Sequence, residues 1–303
     1  MQQKILVTGG AGFIGQHLVD YLVQYGHDVT VVDVEMTGFP HSFPITKHNK
    51  EVTQYFRELE TTESLPGIFQ KHIPFDVIFH LAATPRVGMG LAYPEPVLSN
   101  NLNSLISVAG YCRQHPSTKM IFASSSSVAW ADPSISPYTL SKGMGEEIID
   151  MYIKTFNISA TCVRLFNVYG PGEANYGSHT TLLKQIKNCF NSNSPFHQNG
   201  DGTVTRDFTH VADIVLGLKQ ILIEMQSGDY RQLYELGTGR STAIKDIVEN
   251  MLPKEWPVIQ LPSRKTDAAV TCSWPEKWPK GWKANVHVLD YIDSWIKSGR
   301  LND

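Results

Sequence analysis

Cysteine is scarce in this chain. The residues Cys112, Cys162, Cys189 and Cys272 share no C-x-x-C spacing, which argues against a zinc site or a redox pair, and reduced thiols are expected. Charge is thin and of neither sign. With 26 basic against 29 acidic residues the net is -3, so no global field favours nucleic acid or a membrane surface, and an anionic substrate would need a local basic site. No apolar run approaches the length of a membrane span, and the apolar stretch near the N-terminus is too short for a signal peptide. A cytoplasmic protein with no metal, no nucleic-acid partner and no membrane partner is expected. Repeats and low-complexity tracts are missing as well. What is present is an ordinary globular composition, 42% hydrophobic over 303 residues, enough for one large α/β domain or two closely joined lobes.

Residues 4–8 read as a short apolar strand. A glycine-rich turn follows at once, then a helical pattern through Phe13, Ile14, Leu18, Val19, Leu22 and Val23, then a β-branched strand over 28–33 that ends in Asp33. Strand, glycine turn, helix, strand, acid is the context that lifts Gly9, Gly12 and Gly15 from a weak match to a dinucleotide fingerprint. A structural glycine turn is the plainer alternative. Residues 75–83, 119–123 and 160–166 read as further strands, separated by helices over about 97–114 and 139–156. That alternation predicts a Rossmann-type doubly wound parallel sheet. The texture changes after Tyr169-Gly170-Pro171-Gly172. Residues 170–205 are rich in Gly, Asn and Ser around one helix over 180–190, and 251–285 are rich in Pro and Trp. The expected division is a nucleotide-binding domain over 1–170, with some later segments returning to it, and a smaller α/β substrate lobe over 171–303. Residues 34–55 read as loop with one short strand.

Tyr138 and Lys142 stand four apart, one turn from each other on one helix face. A neighbouring ammonium favours the phenolate. Moving a phenol from a pKa of about 10 to near 7 takes roughly 4 kcal/mol of differential stabilisation. A general base for an alcohol or sugar hydroxyl is the commonest use of such an arrangement. Y-x-x-x-K alone is cheap, and its specificity comes from standing downstream of the glycine turn. Asp33 closes the second strand, where a carboxylate would accept ribose hydroxyls and repel a 2′-phosphate. No arginine lies between positions 34 and 56, which favours NAD over NADP.

TGGAGFIG at 8–15, FHLAA at 79–83, SSSSV at 124–128, SPYTLSK at 136–142, VRLFNVYGPG at 163–172, DGTVTRDFTHVAD at 201–213 and YELGTG at 234–239 occur in an order that resembles an extended short-chain dehydrogenase/reductase. The resemblance is to the NAD-dependent nucleotide-sugar epimerase/dehydratase family and covers nearly the whole chain. It implies Tyr138 as general base, Lys142 as its ribose-binding neighbour, and Ser125, counted back from Val128, as the partner of the sugar 4-hydroxyl. The residues alone do not choose among the four serines. It implies cofactor contacts from Gly9, Gly12, Phe13, Ile14, Gly15, Asp33, Leu81, Ala82, Ala83, Tyr138 and Lys142, with Asn101 bracing the strand ends beside them. Asn167, Arg206 and Arg264 resemble the residues that hold the substrate diphosphate, a task suited to planar bidentate cations. The plainer reading of a lone arginine is a solvated ion pair.

The mechanism that the resemblance implies is inversion at C4 through a transient 4-keto sugar. Ser126 and Ser127 occupy the places where 4,6-dehydratases of the family carry an acid/base pair, so dehydration is disfavoured. The alternatives are a nucleotide-sugar 4,6-dehydratase or 4-ketoreductase, and a non-catalytic NAD-binding protein on the same fold. Thr271, seven after Arg264, falls where bulk restricts the sugar pocket, and its size tilts the expectation toward UDP-N-acetylhexosamines beside UDP-hexoses. His210 and Asp213 are expected to be structural, and His80 a satisfied core histidine. The helices over 97–114 and 139–156 resemble those through which relatives form a homodimer. Two departures stand out. Val128-Ala129-Trp130 leads to Tyr138 within ten residues, without the family's longer loop, which predicts a more open pocket. Thr266 replaces a usual glycine, and Cys272-Ser273-Trp274-Pro275 replaces a family motif.

Overall fold

The computed structural model describes residues 2–33, 52–56, 74–85, 87–173, 180–264, 266 and 268–299. Its first half runs β1 (Lys4–Thr8), α1 (Phe13–Gln24), β2 (Asp28–Asp33), β3 (Val52–Phe56), β4 (Val77–His80), α2 (Val87–Ala92), α3 (Pro94–Gln114), β5 (Lys119–Ser125), α4 (Ser127–Trp130), α5 (Pro137–Phe156) and β6 (Ser159–Leu165). The second half runs β7 (Val168–Tyr169), α6 (Leu182–Ser192), β8 (Phe196–Asn199), β9 (Thr205–Asp207), β10 (Thr209–His210), α7 (Val211–Ser227), β11 (Leu233–Leu236), β12 (Ser241–Ala243), α8 (Ile244–Met251), β13 (Val258–Leu261) and α9 (Val288–Lys297). Of the stretch read as loop with one strand, β3 is the strand; residues 34–51 lie outside the described residues. The strand expected over 75–83 is confined to Val77–His80, because Leu81 to Ala83 leave the ladder to meet the glycine turn.

Seven strands form one sheet in the order β11-β6-β5-β4-β1-β2-β3, and every pair in it is parallel. Side chains alternate between its two faces. Ile5, Val7, Val77 and Phe79 pack with Leu18, Leu22, Leu218 and Ile221 of α1 and α7, whereas Leu6, Ile78, Met120 and Phe122 pack with Leu105, Val108 and Ile149 of α3 and α5. Strands covered on both faces must be apolar throughout, which is why these segments read as continuous hydrophobic runs. Thus α7 and β11, late in sequence, belong to the sheet and its cover. A third core joins Tyr169, Leu183, Ile186, Phe196, Phe208, Ile247, Val288, Ile292 and Trp295. It lies under the small ladders β7–β10, β9–β12 and β8–β13.

The helix of Tyr138 is fixed at both ends. Ser136 caps it by accepting from the Thr139 amide at 3.2 Å, with Pro137 in its first turn, and Asn157 closes it at φ 54°. Gly145 lets it approach the sheet, since a Cβ there would stand 2.8 Å from Phe122 Cζ.

Candidate active site

The strand order reverses beside β1, and ligands of open α/β sheets bind at such a point. Gly9 sits there at φ +72°, and a Cβ on it would stand 2.6 Å from the Ala82 amide nitrogen. A Cβ on Gly15 would stand 2.2 Å from the Gly9 carbonyl oxygen. Both positions therefore admit only glycine. A Cβ on Gly12 would instead meet one atom, the Gly9 oxygen at 3.2 Å, so the protein leaves room there for a close approach. Gly12 is the N-cap of α1, with neither a side-chain cap nor an acid in the first turn, and Phe13 and Ile14 open the helix. Its free amides and dipole suit a phosphate. Asp33 Oδ2 accepts from the Ala11 amide at 2.8 Å, which ties the end of β2 to the turn. The cradle fits the pyrophosphate and adenosine half of NAD, and the backbone of Leu81 and Ala82 lies against Gly9, with Ala83 next in the chain.

Asn101 is almost fully buried on α3. Its Oδ1 accepts from the Thr84 amide at 2.7 Å, and its Nδ2 donates to Ser141 Oγ at 2.9 Å. Ser141 Oγ in turn donates to the Tyr138 carbonyl at 2.8 Å. One side chain thus braces the loop after β4 against the turn that carries Tyr138. Lys142 is buried, and its ammonium donates to the Ala123 carbonyl at 2.7 Å and lies 4.9 Å from the Phe122 ring centroid. Burial lowers its pKa from 10.5 to about 8, so it stays charged at neutral pH. Ser125 ends β5 two residues beyond Ala123, and its Oγ accepts from the Ser127 amide and hydroxyl at 3.2 and 2.9 Å. The Lys142 ammonium is thus held against β5 two residues before Ser125, on the helix that carries Tyr138 one turn earlier.

A second cluster gathers residues far apart in sequence. Asn167, at φ +28°, donates from Nδ2 to the Asp207 carbonyl at 2.9 Å and to Thr271 Oγ1 at 3.1 Å. Thr271 is buried and also accepts from the Asp207 amide at 3.2 Å. Arg206 donates to the carbonyls of Thr205 and Ala268 at 2.9 and 2.7 Å. Arg264 is exposed and is not drawn into the cluster by any contact among the described residues. The node of the cluster is Asp207, which sequence reasoning passed over. Its side chain is fully buried and accepts five bonds: from the amide and hydroxyl of Thr238, from the Gly239 amide, and from the amide and hydroxyl of Ser273. Gly237 must be glycine beside it, since a Cβ would stand 2.6 Å from Asp207 Oδ2 and 2.3 Å from Ser273 Oγ. The signal was present in the chain, as an acid in TRDF and a glycine in ELGTG, but an acid beside an arginine reads as a surface pair.

His210 caps α7 by accepting from the Ala212 amide at 3.2 Å, and Asp213 Oδ2 accepts from the Val286 amide at 3.0 Å. Both are structural, as expected. His80 is only half satisfied: Nδ1 meets Thr8 Oγ1 at 2.7 Å, while Nε2 is buried without a partner among the described residues. Beneath the sheet's far edge, Arg164 binds Glu146 at 2.7 and 2.9 Å and lies 3.6 Å from buried Glu235, which pairs with Lys277 at 3.2 Å. The short segment before Tyr138 does not simply leave a gap. It folds as α4 and a 3-10 turn over Pro133–Ile135, and Trp130 packs against Trp274, 5.6 Å between ring centroids.

Comparison with known proteins agrees with this geometry. The model of the NAD dependent epimerase/dehydratase family matches residues 5–237. The UDP-glucose epimerase YtcB of Bacillus subtilis, itself uncharacterised, is 32% identical over 72% of this chain and 72% of its own. The UDP-glucose 4-epimerase of Neisseria meningitidis serogroup C is 28% identical over 97% of this chain and 96% of its own. Among solved structures, the UDP-glucose 4-epimerase of Thermotoga maritima with UDP-glucose superposes with a TM-score of 0.84 at 26% identity, covering 98% of each chain. The UDP-glucuronic acid 4-epimerase of Bacillus cereus, in complex with UDP-glucuronic acid and NAD, gives 0.81 at 25% identity, covering 97% of this chain and 99% of that one. With a glycine cradle shaped for a dinucleotide and a family model spanning most of its length, the chain belongs to the NAD-dependent epimerase/dehydratase family, and its cofactor is NAD.

Proposed function

We propose that this protein is a nucleotide-sugar 4-epimerase acting on a UDP-hexose or UDP-N-acetylhexosamine. The observation that carries the reading is the buried Lys142 one turn from Tyr138 on α5, its ammonium bonded to the Ala123 carbonyl of β5, the strand that ends in Ser125. Bound NAD supplies a reversible hydride acceptor. The chain's own part is the proton. The Tyr138 phenolate, held by the Lys142 charge, takes the proton of the sugar 4-hydroxyl and later returns it, and Ser125 donates to or accepts from the same oxygen. Arg206 and Arg264 clamp the diphosphate beside Asn167, and Thr271 borders the sugar pocket, so that the 4-keto sugar can turn over while its nucleotide stays fixed. The serines at 126 and 127 give no acid/base pair for loss of water, which disfavours a dehydratase. We place the protein in the cytoplasm and infer a homodimer. Leu140, Met144 and Met151 form a stripe on α5, 38–43% exposed, beside Ile106 of α3 at 40%.

The test is proton NMR of the purified protein with UDP-, GDP- and dTDP-sugars and catalytic NAD. New anomeric signals that reach one ratio from either C4 epimer are expected. A new methyl signal with loss of the C6 hydroxymethyl would mean dehydration, and an unchanged panel would remove the reading.

A further inference from the structure

The two segments in which this chain departs from the family pattern face each other. Trp130 ends α4, and Ser127, one turn before it on the same face, donates to Ser125 Oγ at 2.9 Å. The Trp130 ring lies 5.6 Å from that of Trp274, tilted by 43°. Trp274 follows Ser273, which binds the Asp207 node. Its amide donates to Glu235 Oε2 at 3.0 Å, and the Lys277 ammonium stands 4.0 Å over its ring. One indole is thus held firmly from behind while 38% of the residue stays exposed. The other carries a donor with nothing to give to: Trp130 Nε1 is buried with no hydrogen-bond partner among the described residues. Trp295 Nε1, inside the third core, shares that state among the described residues, whereas the indoles of Trp256, Trp278 and Trp282 donate, to Ser194 O, Ser273 Oγ and Asp213 O. Buried donors in native proteins find acceptors in protein, water or ligand, and an apolar ring with one polar handle is a recurrent element of binding surfaces.

We propose that Trp130 and Trp274 form a specificity-determining wall of the sugar site, one that reads a neutral acylamino substituent. The methyl end of that group packs against the indole faces, and its carbonyl oxygen accepts from Trp130 Nε1. The inference rests on the nucleotide-sugar reading above. A bare hydroxyl offers an acceptor without the apolar surface. A sugar carboxylate would bring a second anion to a place where Glu235 already neutralises Lys277 at 3.2 Å, so the wall selects against it.

Two variants test this. Trp130→Phe keeps an aromatic ring and removes the N–H, and Trp274→Leu removes the ring it leans on. Initial rates are measured with UDP-N-acetylglucosamine and UDP-glucose, and binding of UDP alone, which lacks the sugar, is followed by calorimetry. The ratio of kcat/KM for the N-acetylated over the plain sugar is expected to fall about tenfold in Trp130→Phe and at least as far in Trp274→Leu, with UDP binding within twofold of the parent. A ratio that stays put in both variants, with UDP still bound, overturns the wall and leaves the epimerase reading standing. If the parent protein binds NAD but neither UDP-sugar, the reading and the wall fall together.

Discussion

At pH 7 the ammonium of Lys142 is a charge buried in the protein, and its pKa, lowered from 10.5 to about 8 by burial, measures what the fold gives up to keep it there. The difference is on the order of 3 kcal/mol at neutral pH. The unfolded chain keeps the proton up to pH 10.5 and the folded one only to about 8. The penalty is therefore full below pH 8 and fades between 8 and 10.5. Lys142→Met should raise the unfolding free energy of the cofactor-free protein by about 2 kcal/mol at pH 7, after the loss of its bond to Ala123, and abolish turnover. Urea unfolding at pH 7 and at pH 10 checks both the gain and its disappearance. Tyr138→Phe should keep NAD bound and lose at least about a hundredfold in turnover; near-normal rates would remove Tyr138 from the mechanism. His80 follows the same linkage in a more acidic window. Burial holds its pKa at about 3 against an ordinary 6.5, so the unfolded state takes a proton that the folded state refuses, and stability is lost as pH falls from 6.5 toward 3. His80→Leu should flatten that acid limb in unfolding measured at pH 5 and 7.

Among the elements, the short ladders around Asp207 do what no single strand could. Asp207 joins β9 to the loop after β11 and to the segment before Trp274, through donors on Thr238, Gly239 and Ser273. A buried carboxylate with no cation beside it among the described residues holds only because those five donors converge. Asp207→Asn turns part of that acceptor into a donor facing donors. Because Arg206 and Asn167 hang on the same node, the KM for nucleotide sugar should rise more than tenfold. NAD affinity should stay within twofold, since the glycine cradle lies at β1. Steady-state kinetics beside an NAD titration separates the two. The glycines around the first turn were legible in the chain because a tight turn between a strand and a helix leaves few other choices. The need for glycine at Gly237 was not, because the atom it avoids is a side chain 30 residues upstream in sequence, Asp207 Oδ2 at 2.6 Å.

At the scale of the molecule, a seven-stranded parallel sheet carries the glycine cradle at the carboxyl end of β1, and α5 bears an apolar stripe that no described residue covers. That stripe sits on helices packed to each other, α3 and α5, whose inner faces are already used by Leu105, Val108 and Ile149. What projects outward, Met144 at 42% exposure and Met151 at 43%, suits a second copy of the same surface. Met144→Glu should shift the protein from dimer to monomer in analytical ultracentrifugation, with the far-UV circular dichroism unchanged; a monomeric parent would remove the homodimer.

The sequence by itself determined the sheet, its parallel sense and the cofactor half of the site. These follow from local causes: apolar runs buried on both faces, a glycine turn between strand and helix, and a tyrosine and lysine one helical turn apart. The periodicity of α5 does not by itself tell its outer face from its inner one: Met144 and Met151 project outward, while Ile148 and Tyr152 pack against the core under the sheet. Tertiary structure alone decided how the second cluster is joined. Asn167 meets Thr271 across 104 residues, and Trp130 meets Trp274 from a similarly distant part of the chain. Such contacts have no period and no spacing to betray them, since they arise only where separate elements are brought to one edge by burial of cores elsewhere in the chain.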